Sequence, residues 1–359
     1  MTDSAPSTNI HTEILAIWDL LPTEEVMKRF EGMLQEIPNV NLEATSEETV
    51  NKTWLGQIYR GQILTQLART QGLLGRINEA HMSLDEAEKI AKDVRRTSTD
   101  SSLIEKELVA LNARVELERG RVVNSSGDSA SSVQYFNDAL SYASPAVEDI
   151  SVEELAGRSP REYSSRTLLQ YLAVDSLHML AIVQGSKEEK EESTRRGLEI
   201  AEREAGDSLI RRWVGPLLNN AAWDALEYGD FEKAVSVFQR AEEVRKEALD
   251  DLEREEWYSN LTDTDKTTIK EKRVLTWKIA RWSVGHAKMV AGKDDEAVDT
   301  LNGILNDGLD GPAIRADLAI LVAKQGDSSA AEHARRAISL GVSKEKVADM
   351  NAIIARFNI

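Results

Sequence analysis

Cysteine is absent from this 359-residue chain, which removes disulfides, thiolate metal sites and cysteine nucleophiles at a stroke. Proline is scarce, at seven residues, and β-branched runs are few beside abundant Ala, Leu, Glu, Lys and Arg. That balance predicts helix almost everywhere and no substantial sheet. No stretch approaches the roughly 18 uninterrupted apolar residues of a membrane span. The opening MTDSAPSTNIHTE lacks the basic segment and apolar core of a secretory signal, so a cytoplasmic protein is expected. On that expectation the sequons at Asn51, Asn124 and Asn260 are chance matches. Positive charge is in deficit: 44 Lys and Arg stand against 62 Asp and Glu, for a net charge of −18. Such a chain repels phosphate backbones and anionic bilayers at long range, so neither nucleic acid nor membrane is an expected partner.

Enzyme signatures are missing as well. There is no glycine-rich phosphate loop, no His-Glu-x-x-His and no Gly-x-Ser-x-Gly. The five histidines, His11, His81, His178, His286 and His333, share no metal-ligand spacing. No cofactor and no metal are expected. With 41% apolar and 30% charged residues the chain is nevertheless composed to fold.

What is present is a recurring unit. In LARTQGLLGRINEAHMSLDEAEKIA an amphipathic helix runs to a turn at Gly75, and a second helix follows with Ala80, Leu84 and Ala87 on one face. The pattern returns at Gly127 with Ser132, Phe136 and Ala139, and at Tyr228-Gly229-Asp230 with Ala234, Phe238 and Ala241. It returns again at Gly292 with Ala297 and Leu301, and at Gly326 with Ala330, Ala334 and Ala337. A degenerate copy runs through YLAVDSLHMLAIVQG to Thr194, Leu198 and Ala201. Small residues at these spacings let helices approach closely while the larger one fills the gap.

Over roughly residues 50 to 340 this grammar resembles the tetratricopeptide-repeat family, of the stand-alone microbial and fungal type whose role is mostly unassigned. Leu64, Leu67, Ala68, Gly120 and Gly285 fall on its pattern. The stripe alanines Ala87, Ala139, Ala201 and Ala241 lie 52, 62 and 40 residues apart, against a standard repeat of about 34, so several helices or connectors must be longer than usual. The resemblance implies an all-α, tetratricopeptide-like helix-pair solenoid, a right-handed superhelix with N- and C-terminal capping helices. Residues 1–50 read as capping helices and a connector, with Pro22 in the first turn of the second helix. Residues 51–343 read as five to six helix pairs with long loops near 144–166 and 257–268, and residues 344–359 as a closing helix.

In that family the first helix of each pair lines the inner wall. Its ninth position here carries Arg69, Arg121, His178, Trp223 and His286, with Arg114, Asn124, Asp175, Asn219, Asn220, Arg281 and Trp282 nearby. Arginine offers a planar fork for carboxylates, asparagine bonds an extended backbone, and tryptophan supplies an apolar wall. Each also has a purely structural reading. Arg121 and Arg114 can pair with Glu118 along one helix, and His178 beside Asp175 can be a hydrogen-bonded core histidine rather than half of a catalytic dyad. The tryptophans can be packing residues. The two-carboxylate clamp with which some family members hold chaperone tails is not reproduced, since only Asn220 sits at an equivalent site. The leading expectation is a non-catalytic interaction scaffold holding a peptide or acidic partner segment in its concave groove. A small-molecule or anion sensor using the same groove is the alternative, with an unrecognised enzyme built on Asp175 and His178 behind it. The oligomeric state is left open.

Overall fold

The computed structural model describes residues 22–37, 47–97, 102–146, 160–204, 208–259 and 261–357, and no strand occurs among them. The helices are α1 (Glu24–Glu36), α2 (Glu47–Leu73), α3 (Ile77–Thr97), α4 (Ser102–Ser125), α5 (Ser129–Ala143), α6 (Pro160–Val183) and α7 (Lys187–Arg203). After a helical turn at Ser208–Arg211 come α8 (Val214–Glu227) and α9 (Phe231–Asp250). A second short turn, Glu256–Ser259, precedes α10 (Asp263–Val290), α11 (Asp294–Asn306), α12 (Pro312–Lys324), α13 (Ser329–Ser339) and α14 (Lys344–Phe357). The architecture of the described residues is all-α, with helices packed in consecutive pairs. Part of the extra length implied by the uneven alanine spacing sits in the first helices of the pairs between those alanines, since α4 and α6 have 24 residues each.

The chain reverses where the sequence placed its glycines. At Tyr228-Gly229-Asp230 the Asp230 N–H bonds back to the Ala225 carbonyl at 2.8 Å, closing α8, while the Asp230 carboxylate accepts from the Lys233 N–H at 3.3 Å and opens α9. Gly229 makes the reversal at φ +79°, a region a side chain resists. One dipeptide thus ends one helix and caps the next. The predicted turns at Gly75, Gly127, Gly292 and Gly326 have the same left-handed backbone.

Close approach within pairs follows the small residues. Ala80, Leu84, Ala87, Phe136, Ala139, Ala234, Phe238, Ala241, Ala297, Leu301, Ala330, Ala334 and Ala337 are sealed from solvent. In the degenerate copy Thr194 and Ala201 are buried, but Leu198 is only half-buried. Gly197 takes the inner position there, where a Cβ would stand 3.0 Å from Leu217. At Gly120 on α4 an added Cβ would lie 2.6 Å from the Phe136 ring of α5. Gly120→Ala is therefore expected to destabilise, because about 1 kcal/mol of helix propensity gained does not offset overpacking worth about 1–3 kcal/mol. Chemical denaturation of the variant and of Gly120→Ala with Phe136→Leu checks this: the second change should restore most of the loss.

The packing divides residues expected to form a single array into two units. One comprises Met1–Leu217 with Glu253–Ile269, the other Leu218–Leu252 with Lys270–Ile359. In the first, α2 pairs with α3, α4 with α5 and α6 with α7, and the first helices α2, α4 and α6 lie side by side. Helix α1 seats Val26, Met27 and Phe30 against Ile63 and Leu67 of α2. In the second unit Ala222, Val235, Phe238, Val284 and Ala287 form one core and Leu301, Ile304, Ile314, Leu318 and Leu321 another. Helix α14 buries Met350 against Ala316, Ala319, Ala334 and Ala337.

Three boundaries differ from the sequence reading. Pro22 precedes the helix rather than joining its first turn, because Thr23 is the cap and its side chain accepts from the Val26 N–H at 3.2 Å. The loop expected over 257–268 is largely helical: the Thr262 hydroxyl accepts from the Asp265 N–H at 3.2 Å and starts α10 at Asp263. The loop expected over 144–166 gives way to α6 at Pro160, where a proline needs no N–H partner. The rest of that loop beyond Ala146, the connector before Glu47 and the predicted cap helix before Pro22 lie outside the described residues.

Candidate functional site

In the first unit the side-by-side packing of α2, α4 and α6 brings Arg69, Arg114, Arg121 and Asp175 together with Glu118. Positions 114, 118 and 121 share one face of α4. Glu118 and Asp175 are closed to solvent, as is Arg114. Arg121 donates to Glu118 at 2.6 Å and also to Asp175. Arg69 approaches Glu118 at 3.5 Å and Asp175 at 4.0 Å. Two guanidiniums, those of Arg69 and Arg121, thus share two carboxylates, with Arg114 in the field of both. Burial pulls Arg114 down to about 10, against the opposing fields of Tyr171, Glu118 and Asp175. For Arg121 burial acts in the same sense, but Asp175 and Glu118 outweigh it and hold the guanidinium charged above its ordinary value. Tyr171, with the Arg114 guanidinium 5.9 Å from its ring centre, is pushed up to about 12 by burial and by Asp175.

Asp175 is therefore held by arginine inside the protein and closed to solvent. The His178 ring packs on Trp213 at 5.2 Å, and Trp213 packs edge-on to Tyr171 at 5.5 Å. Beside the charged cluster is a cavity of about 210 Å³, lined by Arg69, Gly72, Leu73, Arg121, Val122, Asn124, Ser125 and Met179. Asn124 accepts at its Oδ1 from the Ser129 hydroxyl at 2.8 Å.

In the second unit Trp223 of α8 meets Trp282 and His286 of α10, with ring centres 6.2 and 5.7 Å apart, and Trp282 and His286 stand 5.5 Å from each other. Behind them is Asp317 of α12, a fully buried carboxylate absent from the sequence reading. Its Oδ2 accepts from Trp282 Nε1 at 2.9 Å and lies 2.9 Å from His286 Nδ1, and its Oδ1 accepts from Lys346 Nζ at 3.3 Å. Burial alone raises such a group, but the hydrogen bond and charge of His286, with Lys346 and Trp282, outweigh it and hold Asp317 below the usual carboxylate value. An ionised carboxylate only accepts, so Nδ1 of His286 carries the proton. Asn219 and Asn220 are half-buried one turn before Trp223. Arg281 departs from this face: it reaches α11, donating to Asp307 at 2.6 Å, with its guanidinium over Gly303.

The face of α10 that carries Trp282 and His286 continues to Ile279, three residues before Trp282, and to Leu275, seven before it. Leu275 is 43% exposed, Ile279 44% and neighbouring Trp223 36%. Lys272 and Lys278 flank that stripe. Residues 270–290 hold six basic residues, Lys270, Lys272, Arg273, Lys278, Arg281 and Lys288, against one acidic, Glu271. The sequence reading passed over Leu275 and Ile279 because apolar residues at helical spacing ordinarily mark a core.

Among the described residues no helix is long and apolar enough to cross a membrane, and no group of three or more histidine and carboxylate side chains is placed to hold a metal ion. Neither a protein-family model nor a curated protein matches the chain. Solved structures do match: one, described as "Crystal structure of APC/C hetero-tetramer Cut9-Hcn1", is similar over 91% of this chain at 12% identity with a TM-score of 0.33. This chain spans 66% of that one. Likeness at that level leaves the partner of this protein to be argued from its own surfaces.

Proposed function

We propose that the protein is a partner-binding helical-repeat protein whose second unit receives an acidic segment with apolar anchors along α8 and α10. The observation that carries this reading is the placement of Leu275, Ile279 and Trp223, exposed and adjacent to a basic stretch, in a chain of net charge −18. Isolated surface leucines need no explanation, but a contiguous apolar stripe ending on a tryptophan is the composition of an interface centre. The flanking lysines and arginines would steer an acidic partner while the remaining acidic surface turns away other anions. From Leu275 to Val290 the face runs about 22 Å, long enough for four turns of a partner helix.

The test uses an acidic amphipathic peptide with leucines at helical spacing, its scrambled isomer and its lysine-substituted twin. Ile279→Glu should weaken binding of the acidic peptide at least about tenfold, or about 1.4 kcal/mol, and binding should fall as salt is added. Because Ile279 is exposed, circular dichroism should be unchanged. Equal affinity for the scrambled peptide, or undiminished binding by the variant, would count against the reading.

A further inference from the structure

The apolar stripe of α9 ends on a charge. Ala234, Phe238 and Ala241 are sealed in the core of the second unit, and Arg245 follows four residues on, at the same helical spacing. Its guanidinium crosses to α10, where Nη1 donates to the Thr276 carbonyl at 3.2 Å. Nε is closed to solvent and has no hydrogen-bond partner, while Nη2 is neither bonded nor sealed.

No carboxylate among the described residues answers this guanidinium. Glu242, three residues earlier on α9, stands 3.9 Å from Arg281, and Asp250, five residues later, is held by Lys246 at 2.6 Å. The charge that does act on Arg245 has its own sign: burial, and then the field of Arg273 on α10, pull it down to about 10. A buried charge without a counter-charge costs stability, and residues kept at such a cost often serve function.

We infer that Arg245 anchors an oxyanion site between α9 and α10, taking the carboxylate or phosphate group of a small ligand. The unbonded edge of the guanidinium, Nε–H beside Nη2–H, is the planar fork that two oxygens of one anion match. Nη2 offers the entry, and Nε behind it has a bond still to make. The site is separate from the proposed partner face. Val284 and Ala287 pack on Val235 and Phe238 and so mark the side of α10 turned to α9. Position 273 shares that side, whereas Leu275 and Ile279 lie on the other.

The test follows the Arg245 Nε–H resonance in the isotope-labelled full chain, assigned by its loss in Arg245→Gln. Sodium acetate and sodium methyl phosphate are titrated against sodium chloride at constant ionic strength. A saturable shift with acetate, with methyl phosphate or with both is expected, and none with chloride. Acetate alone assigns the site to carboxylates, methyl phosphate alone to phosphates, and both together to the shared oxyanion chemistry. In thermal unfolding the anion that binds should raise the melting point of the wild type, and Arg245→Gln should weaken its apparent affinity at least about tenfold. Phosphate stabilises folded proteins in general by exclusion from their surfaces, so the difference between wild type and variant is what counts. Arg245→Met, which keeps the aliphatic stem, reads the same loss should Arg245→Gln fail to fold. Ile279→Glu should bind the anion as the wild type does, so failure at the partner face and failure here are told apart. No saturable shift with either oxyanion, an equal shift with chloride, or anion stabilisation fully retained without the guanidinium would overturn the proposal.

Discussion

Asp175→Asn is expected to destabilise the first unit by about 3–5 kcal/mol, the usual cost of removing one partner from a buried ion pair. The magnitude follows from how the cluster is shared. Asp175 is sealed from solvent and faces both Arg121 and Arg69, and Glu118 is the other carboxylate they share. Without its charge, Arg69 and Arg121 keep only Glu118 of the two carboxylates they share, and neighbouring Arg114 already has a proton affinity reduced by burial. Asparagine preserves the shape and still accepts a hydrogen bond, so the loss reads charge rather than packing. Thermal or guanidinium unfolding of the full chain, followed by a probe confined to the first unit, measures it. Arg121→Leu combined with Asp175→Leu should cost less than the two single changes added together, because neither member of the pair is then left buried without the other. A first-unit transition unmoved by Asp175→Asn would mean that water already screens the cluster.

The helix pairs were legible because their signal is local. A glycine with left-handed backbone, a capping aspartate and a small-large-small stripe are all read within one stretch of about 25 residues, as at Tyr228-Gly229-Asp230 and Ala234-Phe238-Ala241. Boundaries were less legible where polar residues serve as caps. TDTDKTT reads as a loop by composition, yet Thr262 is a cap and the segment opens the longest helix. The division into two units was not legible either, since it depends on which helices touch across long separations rather than on a break in composition.

The candidate row was partly legible for a related reason. A shared position in successive first helices does bring Arg69 and Arg121 to one carboxylate, the nearby Asp175, in one unit, and Trp223 and His286 together in the other. What the row cannot encode is the residue facing it from elsewhere. Arg281 is one residue from Trp282 in sequence but points to α11, where Gly303 leaves room for its guanidinium. Asp317 carried a usable signal, as a lone acid within the otherwise apolar run ADLAILVA, because a buried carboxylate requires partners.

That requirement gives the second large effect. Asp317→Ala is expected to cost the second unit about 3 kcal/mol, since it strands the Trp282 and His286 ring N–H groups and removes the anion facing Lys346. The contribution has a defined dependence on pH. Asp317 has a lower proton affinity in the folded protein than a free aspartate, whose pKa is about 3.9. Its stabilisation is therefore complete above that ordinary value and is lost as pH falls through the depressed folded value, where His286 and Lys346 face a protonated acid. Asp317→Asn keeps an acceptor for Trp282 and His286 but cannot ionise. It should be milder than Asp317→Ala at neutral pH, and its stability deficit relative to wild type should shrink below about pH 4. Asp310, held low by Arg315 and Arg336, titrates in both proteins, so the difference between their melting curves, rather than either curve alone, isolates Asp317. A deficit that stays constant from neutral pH into strong acid would show that the bonds to Trp282 and His286, and not the charge on Asp317, carry the effect.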